Sequence, residues 1–278
     1  MAFPADFSFN QSSLQDYLDC QRRFELRYLL RLSWPAVEIE PALENERFLR
    51  RGTTFHRLVH QHQIGIPEPR LAPYADEPEL AQWWQAYLQQ AGRLLDGCLS
   101  KYPETMLTTG LAGQILVAKY DLLCLLEDGS LRIIDWKTSR FTPQRRRLAE
   151  RMQTHIYPFV LVRAGASLLG REIQPEQVQM VYWYTSQPEQ PLIFGYDQAQ
   201  YERDEQLLSS LISGIASQAS GEFPLTSHEE RCRLCTYRSL CQRGVQAGGL
   251  EELSADTESD TTGLLDALDF DQIGEIEY

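Results

Sequence analysis

No stretch of this 278-residue sequence approaches the run of about 18 apolar residues that a membrane-spanning helix needs. The first ten residues also lack the basic and apolar blocks of a secretory signal peptide. With 43% hydrophobic residues, the chain can still bury a substantial core. The composition therefore predicts a soluble protein that works in the cytoplasm and has no membrane partner.

Lysine is scarce, and positive charge is absent from one end of the sequence. Three of the 26 basic residues are lysines, which leaves 23 arginines. Residues 251–278 carry ten of the 39 acids and no base, so residues 1–250 hold 29 acids against 26 bases. The total charge thus argues neither for nor against a polyanionic partner. We expect one folded domain over 1–250 and an acidic, disordered tail over 251–278.

The spacing of apolar residues predicts a mixed α/β fold without internal repeats. Helical spacing covers 9–32, with Ser12 or Ser13 as the candidate N-cap, and most of 44–105, which we expect to form a helical lobe. Short apolar runs between 111 and 138 predict a β-hairpin. The remaining predictions are a helix over 145–164, strands over 179–184 and 192–196, a helix over 202–219 and a compact cysteine segment over 228–243.

An acid and an amine end an otherwise mostly apolar segment, Leu131 to Lys137. Positions two apart in a β-strand project from the same face, so Asp135 and Lys137 are expected side by side, with Trp136 directed away. The pattern Asp-x-Lys taken alone favours an ordinary ion pair on the protein surface. The pattern follows an apolar strand, however, and a second acid precedes it in the sequence. This context favours a functional site.

The hairpin turn decides whether that second acid, Asp121, joins the pair. With a two-residue loop at Asp128 and Gly129, Asp121 would lie opposite Trp136 and point to the wrong face. With a three-residue loop that begins one residue earlier, and with Gly129 in the left-handed conformation, Asp121 lies opposite Asp135. We predict the three-residue loop.

Two carboxylates and a lysine at one end of a hairpin suit phosphodiester hydrolysis. Carboxylate oxygens are the hard ligands that Mg²⁺ or Mn²⁺ prefers. Such ions polarise a phosphoryl oxygen, activate water and stabilise the departing oxygen. We expect Lys137 to orient the attacking water and to offset developing negative charge.

Two further segments place this trio in a wider pattern: Gly52 to His56 before it and Gln153 to Tyr157 after it. In this order the segments resemble the motifs of the PD-(D/E)xK nuclease superfamily, specifically its RecB-like branch. That branch includes the AddB helicase–nuclease subunit and the exonucleases of CRISPR adaptation. The resemblance spans roughly residues 8–243. It implies a restriction-endonuclease-like fold, with a mixed central sheet flanked by helices.

The resemblance also implies roles for single residues. The metal ligands would be His56, Asp121, Asp135 and the backbone carbonyl of Trp136. Gln153 and Tyr157, one helical turn apart, would line the DNA-binding side of the site. Taken singly, each of the last two is an ordinary residue of an amphipathic helix. The family often places an acid four residues after the histidine, where this chain has His60, and this leaves the ligand set open at that point.

Three of the six cysteines are closely spaced near the end of the domain. Cys232, Cys235 and Cys241 follow a spacing that is too tight for independent disulfides and typical of thiolates around a metal centre. A fourth ligand is required. The spacing alone suits zinc and an iron–sulfur cluster equally.

The resemblance favours a [4Fe–4S] cluster with Cys20 as the fourth ligand. The segment from Ser12 to Phe24 resembles the opening of the iron–sulfur members of the RecB-like branch, although Gln21 stands where they commonly carry proline. Such a cluster would join the two ends of the domain as a structural clasp.

Arginines are concentrated directly after Lys137. Forked guanidinium groups suit bidentate contact with phosphate oxygens, so we expect this group to hold a nucleic-acid backbone. The alternative is a solvated helix face. The group consists of Arg140, Arg145, Arg146, Arg147 and Arg151. The sequence shows no base-reading motif, so sequence specificity is not expected.

The leading hypothesis is a metal-dependent DNA exonuclease or endonuclease that acts on single strands or ends in repair, recombination or defence. The sequence has no glycine-rich phosphate-binding loop, so a helicase would be a separate polypeptide. The acidic tail could bind such a partner protein, cover the basic groove or only keep the protein soluble. Two alternatives are a non-catalytic nucleic-acid-binding or scaffold module with the nuclease fold, and an RNA-acting nuclease with a zinc clasp.

Overall fold

A five-stranded mixed sheet forms the centre of the structure, a computed structural model that describes residues 3, 7–32, 42–218 and 223–244. The predicted tail, 251–278, lies outside these residues. The strands are β1 (Cys98–Leu111), β2 (Gln114–Leu126), β3 (Leu131–Lys137), β4 (Val178–Tyr184) and β5 (Leu192–Gly195). They lie in sequence order; β3 and β4 run parallel, and the other neighbouring pairs are antiparallel. The sheet is flanked by helices, as predicted for the α/β class.

Helices cover both faces of this sheet. Within the described ranges they are α1 (Gln11–Asp19), α2 (Gln21–Phe24), α3 (Ala42–Gln63), α4 (Glu68–Leu71), α5 (Pro78–Leu94), α6 (Arg145–Ala149), α7 (Met152–Ala164), α8 (Ala166–Leu169) and α9 (Gln198–Ser217). A π-helical turn, Glu25–Leu29, continues α2, and a 3₁₀ turn covers Glu229–Leu234. Helices α6 to α8 form the crossover that parallel neighbours such as β3 and β4 require. Among these helices, none has the length and apolar character needed to cross a bilayer.

Each face of the sheet has its own core. Side chains of α1, α7 and α9 form the first, which we call the α7 core. The second, which we call the aromatic core, contains rings from α3, α5 and the sheet, namely Phe55, Trp84, Tyr87, Trp136 and Trp183. Strand β3 alternates between the two, since Ile133 enters the α7 core and Ile134 the aromatic core.

The helices predicted over 9–32 and 145–164 are both interrupted. Cys20, with φ −161° and ψ 106°, separates α1 from α2, and Arg151, with φ −75° and ψ 140°, separates α6 from α7. The N-cap of α1 is Asn10 rather than Ser12 or Ser13. Its side chain accepts the N–H of Ser13 at 2.8 Å, and the Ser13 hydroxyl accepts the N–H of Asn10 at 2.9 Å. This reciprocal pair of bonds is a capping box.

The helical lobe is shorter than predicted. Helix α5 ends at Leu94, so residues 98–105, expected to be helical, belong to β1. A two-residue turn at Ala112 and Gly113, both with positive φ, joins β1 to β2. Burial along β1 alternates poorly, because most of its residues are exposed or half-buried. Its pairing with β2 therefore determines its structure more than its own apolar pattern does.

Candidate active site

The turn between β2 and β3 sets the register of the hairpin. Leu126 donates its N–H to the carbonyl of Ser130 at 2.9 Å, and Gly129 donates to the carbonyl of Leu126 at 3.0 Å. Gly129 has φ +80°, in the left-handed region. The predicted three-residue loop is therefore confirmed. The β2–β3 pairing runs without a shift from Leu125 opposite Leu131 to Leu122 opposite Ile134, and Asp121 lies one residue beyond this last pair.

Asp121 connects the end of β3 to helix α3. Its Oδ2 accepts the backbone N–H of Trp136 at 2.9 Å, and its Oδ1 lies 3.4 Å from Nδ1 of His56. The N–H and C=O of one strand residue point to the same side, so the carbonyl of Trp136 is directed to this edge as well. Three of the residues expected to bind metal therefore meet at one place.

Asp135 and Lys137 form a buried ion pair at the C-terminal end of β3. Lys137 Nζ lies 2.9 Å from Asp135 Oδ2, and their side chains are only 8% and 5% exposed. Gln153 of α7 donates to Asp135 Oδ1 at 2.5 Å. Removing two charges from water costs free energy that their attraction often fails to recover. Burial thus excludes the ordinary surface pair and makes stability a poor explanation for it.

Charges at this site move the pKa values of His56 and Asp121 in opposite directions. Burial lowers the pKa of His56, but the charge and hydrogen bond of Asp121 outweigh it and raise that pKa above its usual value. Burial raises the pKa of Asp121, but His56, the N–H of Trp136 and Lys137 bring it below its usual value. Asp121 is therefore ionised at neutral pH, the form that attracts a cation.

Tyr157 differs from the expectation that it lines a DNA-binding side. It is 3% exposed, its ring packs against Tyr120 with 5.0 Å between centroids, and its carbonyl accepts the Tyr120 hydroxyl at 2.9 Å. Gln153 lies one turn earlier, close to the strand end, where it reaches Asp135. Because α7 packs along the sheet, the same helix face that reaches the site at Gln153 enters the core at Tyr157.

The predicted arginine group does not form a single surface. Arg145 donates to the main-chain carbonyl of Ile193 at 2.6 Å and thereby covers part of edge strand β5. Arg140 lies over the ring of Phe48 on α3, 5.3 Å from its centroid. Arg146, 89% exposed, lies 3.4 Å from the carboxylate of Glu150, the residue that follows α6. The remaining two, Arg147 and Arg151, are half-buried.

Four cysteines from the two ends of the domain lie within range of one another's charge. Burial raises the pKa values of Cys232, Cys235 and Cys241, that of Cys235 to about 11, and the charge of Cys20 adds to the rise in each case. The C-terminal segment is also bonded directly to the first helix, because Arg231 donates to the main chain at Asp19, 3.3 Å away. Cys20 therefore lies near the three C-terminal cysteines, and their role as ligands of one cluster stays a prediction.

Neither the hairpin residues nor the four cysteines form a complete metal-binding arrangement. Within the described ranges, no set of three or more His, Cys, Asp or Glu side chains has a geometry that could hold a metal ion. At the hairpin, the two carboxylates contact Lys137, Gln153, His56 and the main chain of Trp136 instead. The donor chemistry of the hairpin site nevertheless suits a hard divalent cation, since carboxylate oxygens dominate it.

Two residues beside the site had no predicted role of their own. Tyr182 lies opposite Asp135 in the parallel β3–β4 pairing, and Thr154 directly follows Gln153. The alternation of Tyr182 and Tyr184 along an apolar run was the available signal. It could not be used, because sequence does not reveal the register of two parallel strands.

Comparison with known proteins identifies the family. A family model described as the PD-(D/E)XK nuclease superfamily matches residues 8–242. The chain belongs to this superfamily. Its members hydrolyse phosphodiester bonds and use divalent metals such as Mg²⁺ or Mn²⁺. The chain is thus a nuclease by family.

Two crystal structures are distantly similar to this PD-(D/E)XK nuclease. That of SSO0001 is 14% identical, with 86% of this chain and 87% of that chain covered and a TM-score of 0.41. That of "Putative exonuclease" from Eubacterium rectale is 11% identical, with 80% and 85% covered and a TM-score of 0.49. Similarity this weak supports no conclusion about mechanism. Among curated proteins there is no match.

Proposed function

We propose that the chain is a metal-dependent DNA nuclease of the RecB-like branch, which acts in the cytoplasm on single strands or ends, in repair, recombination or defence. One observation carries the proposal: His56, Asp121, Asp135 and Lys137 meet at the C-terminal end of β3. In a superfamily of nucleases, this is the group of side chains that suits metal-assisted hydrolysis of a phosphodiester.

Each residue of the group has a proposed part in the reaction. The residues that would hold Mg²⁺ or Mn²⁺ are His56, Asp121, Asp135 and the carbonyl of Trp136. A bound cation supplies polarisation of the phosphoryl oxygen and activation of water. Lys137 carries the positive charge that offsets charge developing on the phosphate. Gln153 holds one oxygen of Asp135 and so orients the other.

An exposed ring next to the site supports the preference for single strands. Phe141, four residues after Lys137, is 41% exposed, and its carbonyl accepts the hydroxyl of Ser139 at 2.8 Å. The next residue, Thr142, is bonded to Ser186, which lies two residues after β4. The backbone is therefore held on both sides of a ring that faces solvent. Such a ring stacks on unpaired bases, which a duplex does not offer.

We propose that exposed arginines nearby bind the phosphates of the same strand. Arg146 has the required exposure, and Arg147 and Arg151 are partly accessible. Arg140 and Arg145 are proposed to act at the rim, because Arg140 already packs on Phe48 of helix α3 and Arg145 is already bonded to strand β5. We also propose a protein partner. A helicase or another separate protein would bind the acidic residues 251–278.

We further propose that Cys20, Cys232, Cys235 and Cys241 hold a [4Fe–4S] cluster that clasps the two ends of the domain. The proposal is supported by the position of Cys20, which is close enough to Cys232, Cys235 and Cys241 for its charge to raise their pKa values. Iron and acid-labile sulfide in anaerobically purified protein, lost in Cys235→Ser, are the expected result. Zinc without iron would replace the cluster with a zinc clasp.

The test of the nuclease is cleavage of labelled single-stranded DNA, double-stranded DNA and RNA with Mg²⁺ or Mn²⁺. We expect single-stranded DNA to be cleaved by the wild type and not by Lys137→Ala. Lys119→Ala is the matched control, because Lys119 is an exposed lysine on the same hairpin. Binding without cleavage by the wild type would establish the scaffold alternative, and cleavage of RNA alone would replace DNA as the substrate.

A further inference from the structure

Tyr182 links the strand that carries the ion pair to the helix that carries Gln153. It is fully buried on β4, beside Asp135 in the parallel register. Its hydroxyl lies 2.7 Å from Oγ1 of Thr154 on α7, and its ring centroid lies 6.0 Å from Nζ of Lys137. One side chain thus contacts both elements between which the site is formed.

The direction of the hydrogen bonds follows from counting protons. Thr154 Oγ1 donates to the carbonyl of Leu148 at 2.5 Å, and a threonine hydroxyl has only one proton to give. The Tyr182 hydroxyl is therefore the donor to Thr154. Burial, followed by the charge of Asp135, raises the pKa of Tyr182, so its hydroxyl keeps the proton that this bond needs. The chain of bonds runs from Tyr182 through Thr154 to the end of α6.

These contacts form a closed set of interactions around Asp135, which we call the circuit. Gln153, adjacent to Thr154, donates to Asp135, and Asp135 is beside Tyr182 in the sheet. Helix α7 cannot slide along β4 without stretching either the Thr154–Tyr182 bond or the Gln153–Asp135 bond. The break between α6 and α7 lies immediately before this point, so the circuit holds the start of α7 together with the bonds of Met152 to Gln15 and of His155 to Asp204.

We propose that Tyr182 is a positioning residue for the nuclease reaction: together with Thr154 it fixes α7 against β3, so that Gln153 orients Asp135, while its ring supports the ammonium group of Lys137. The inference rests on the proposed catalytic role of the hairpin site. Tyr182 itself is buried and does not contact the nucleic acid.

A double-mutant cycle tests this circuit. Tyr182→Phe keeps the ring and removes the donor, and Thr154→Val keeps the shape and removes the acceptor. If the bond acts as one unit, each variant lowers kcat about tenfold with KM nearly unchanged, and the double variant is no worse than either single one. Tyr182→Leu, which also removes the ring beneath Lys137, should lower kcat further.

Tyr28→Phe is the matched control. It removes a comparable buried hydrogen bond, 3.2 Å from the hydroxyl to Asp16, within the N-terminal helical segment. We expect it to lower the melting temperature without changing kcat. A Tyr182→Phe variant that likewise loses stability but keeps wild-type kcat while folded would overturn the proposal, and so would additive effects of the two site variants. Failure of the nuclease proposal is distinguishable, because the wild type would then cleave nothing.

Discussion

The two sides of β3 differ in what they contribute to the protein. On one side, Trp136 packs in the aromatic core, 5.4 Å from the ring of Tyr87 and 5.8 Å from that of Trp183. On the other, Asp135 and Lys137 bury opposite charges. Burial of rings lowers the free energy of the fold directly, whereas burial of charges raises it unless every group finds a partner. Stability and chemistry are thus separated by a single residue step along one strand.

The largest effect is expected on the charged side. Asp121→Asn keeps an oxygen that can accept the N–H of Trp136 but removes the negative charge, so kcat should fall by about a thousandfold or more, with the fold intact. Steady-state cleavage of single-stranded DNA measures the loss. Asp128→Asn, an exposed aspartate of the hairpin turn, should retain wild-type activity. An Asp121→Asn enzyme with a tenth of wild-type activity would contradict the assignment.

A substitution on the aromatic side of β3 should change the stability of the protein instead of its activity. Trp136→Ala removes a buried ring from the aromatic core and should lower the free energy of unfolding by about 3–5 kcal/mol. Urea unfolding measures the change. The carbonyl that faces the site belongs to the backbone and is retained, so the folded fraction should keep most of its kcat. An unchanged unfolding midpoint would show that the two sides are not divided in this way.

The turn between β2 and β3 sets the register of the hairpin, and a substitution at Gly129 tests its role. Valine there must adopt φ near +80°, which should lower the free energy of unfolding by about 1–2 kcal/mol. Gly129→Asn is the control, because asparagine tolerates this conformation better. Thermal unfolding of both variants checks the order. Equal stability of the two would mean that the left-handed residue does not determine the register.

The smallest effect is expected beyond the end of the strand. Phe141→Ala should raise KM for single-stranded DNA about tenfold, equivalent to about 1.4 kcal/mol of lost stacking, and leave kcat unchanged. Phe141→Trp should restore affinity. The comparison is made on a normal oligonucleotide and on one without bases at the contacted position. A loss of the same size on both substrates would exclude stacking.

Sequence by itself determined the local geometry of the site. The period of two in a strand placed Asp135 beside Lys137, and the three-residue loop with left-handed Gly129 set the register that brings Asp121 to the same end of β3. Both rules involve neighbours within a few residues, so they can be read before the chain is folded. The order of the motifs also predicted the superfamily, and the family-model match to residues 8–242 confirmed it.

Tertiary structure alone decided what lies around that hairpin. The register of β4 beside β3, the burial of Tyr157, the contact of Arg145 with β5 and the strand character of residues 98–105 all depend on distant partners. A parallel neighbour arrives through a crossover of forty residues, and no local rule links its register to the strand it joins. For this reason the positions of Tyr182 and Thr154 beside the site follow from the packing of α7 against β4 and not from the sequence.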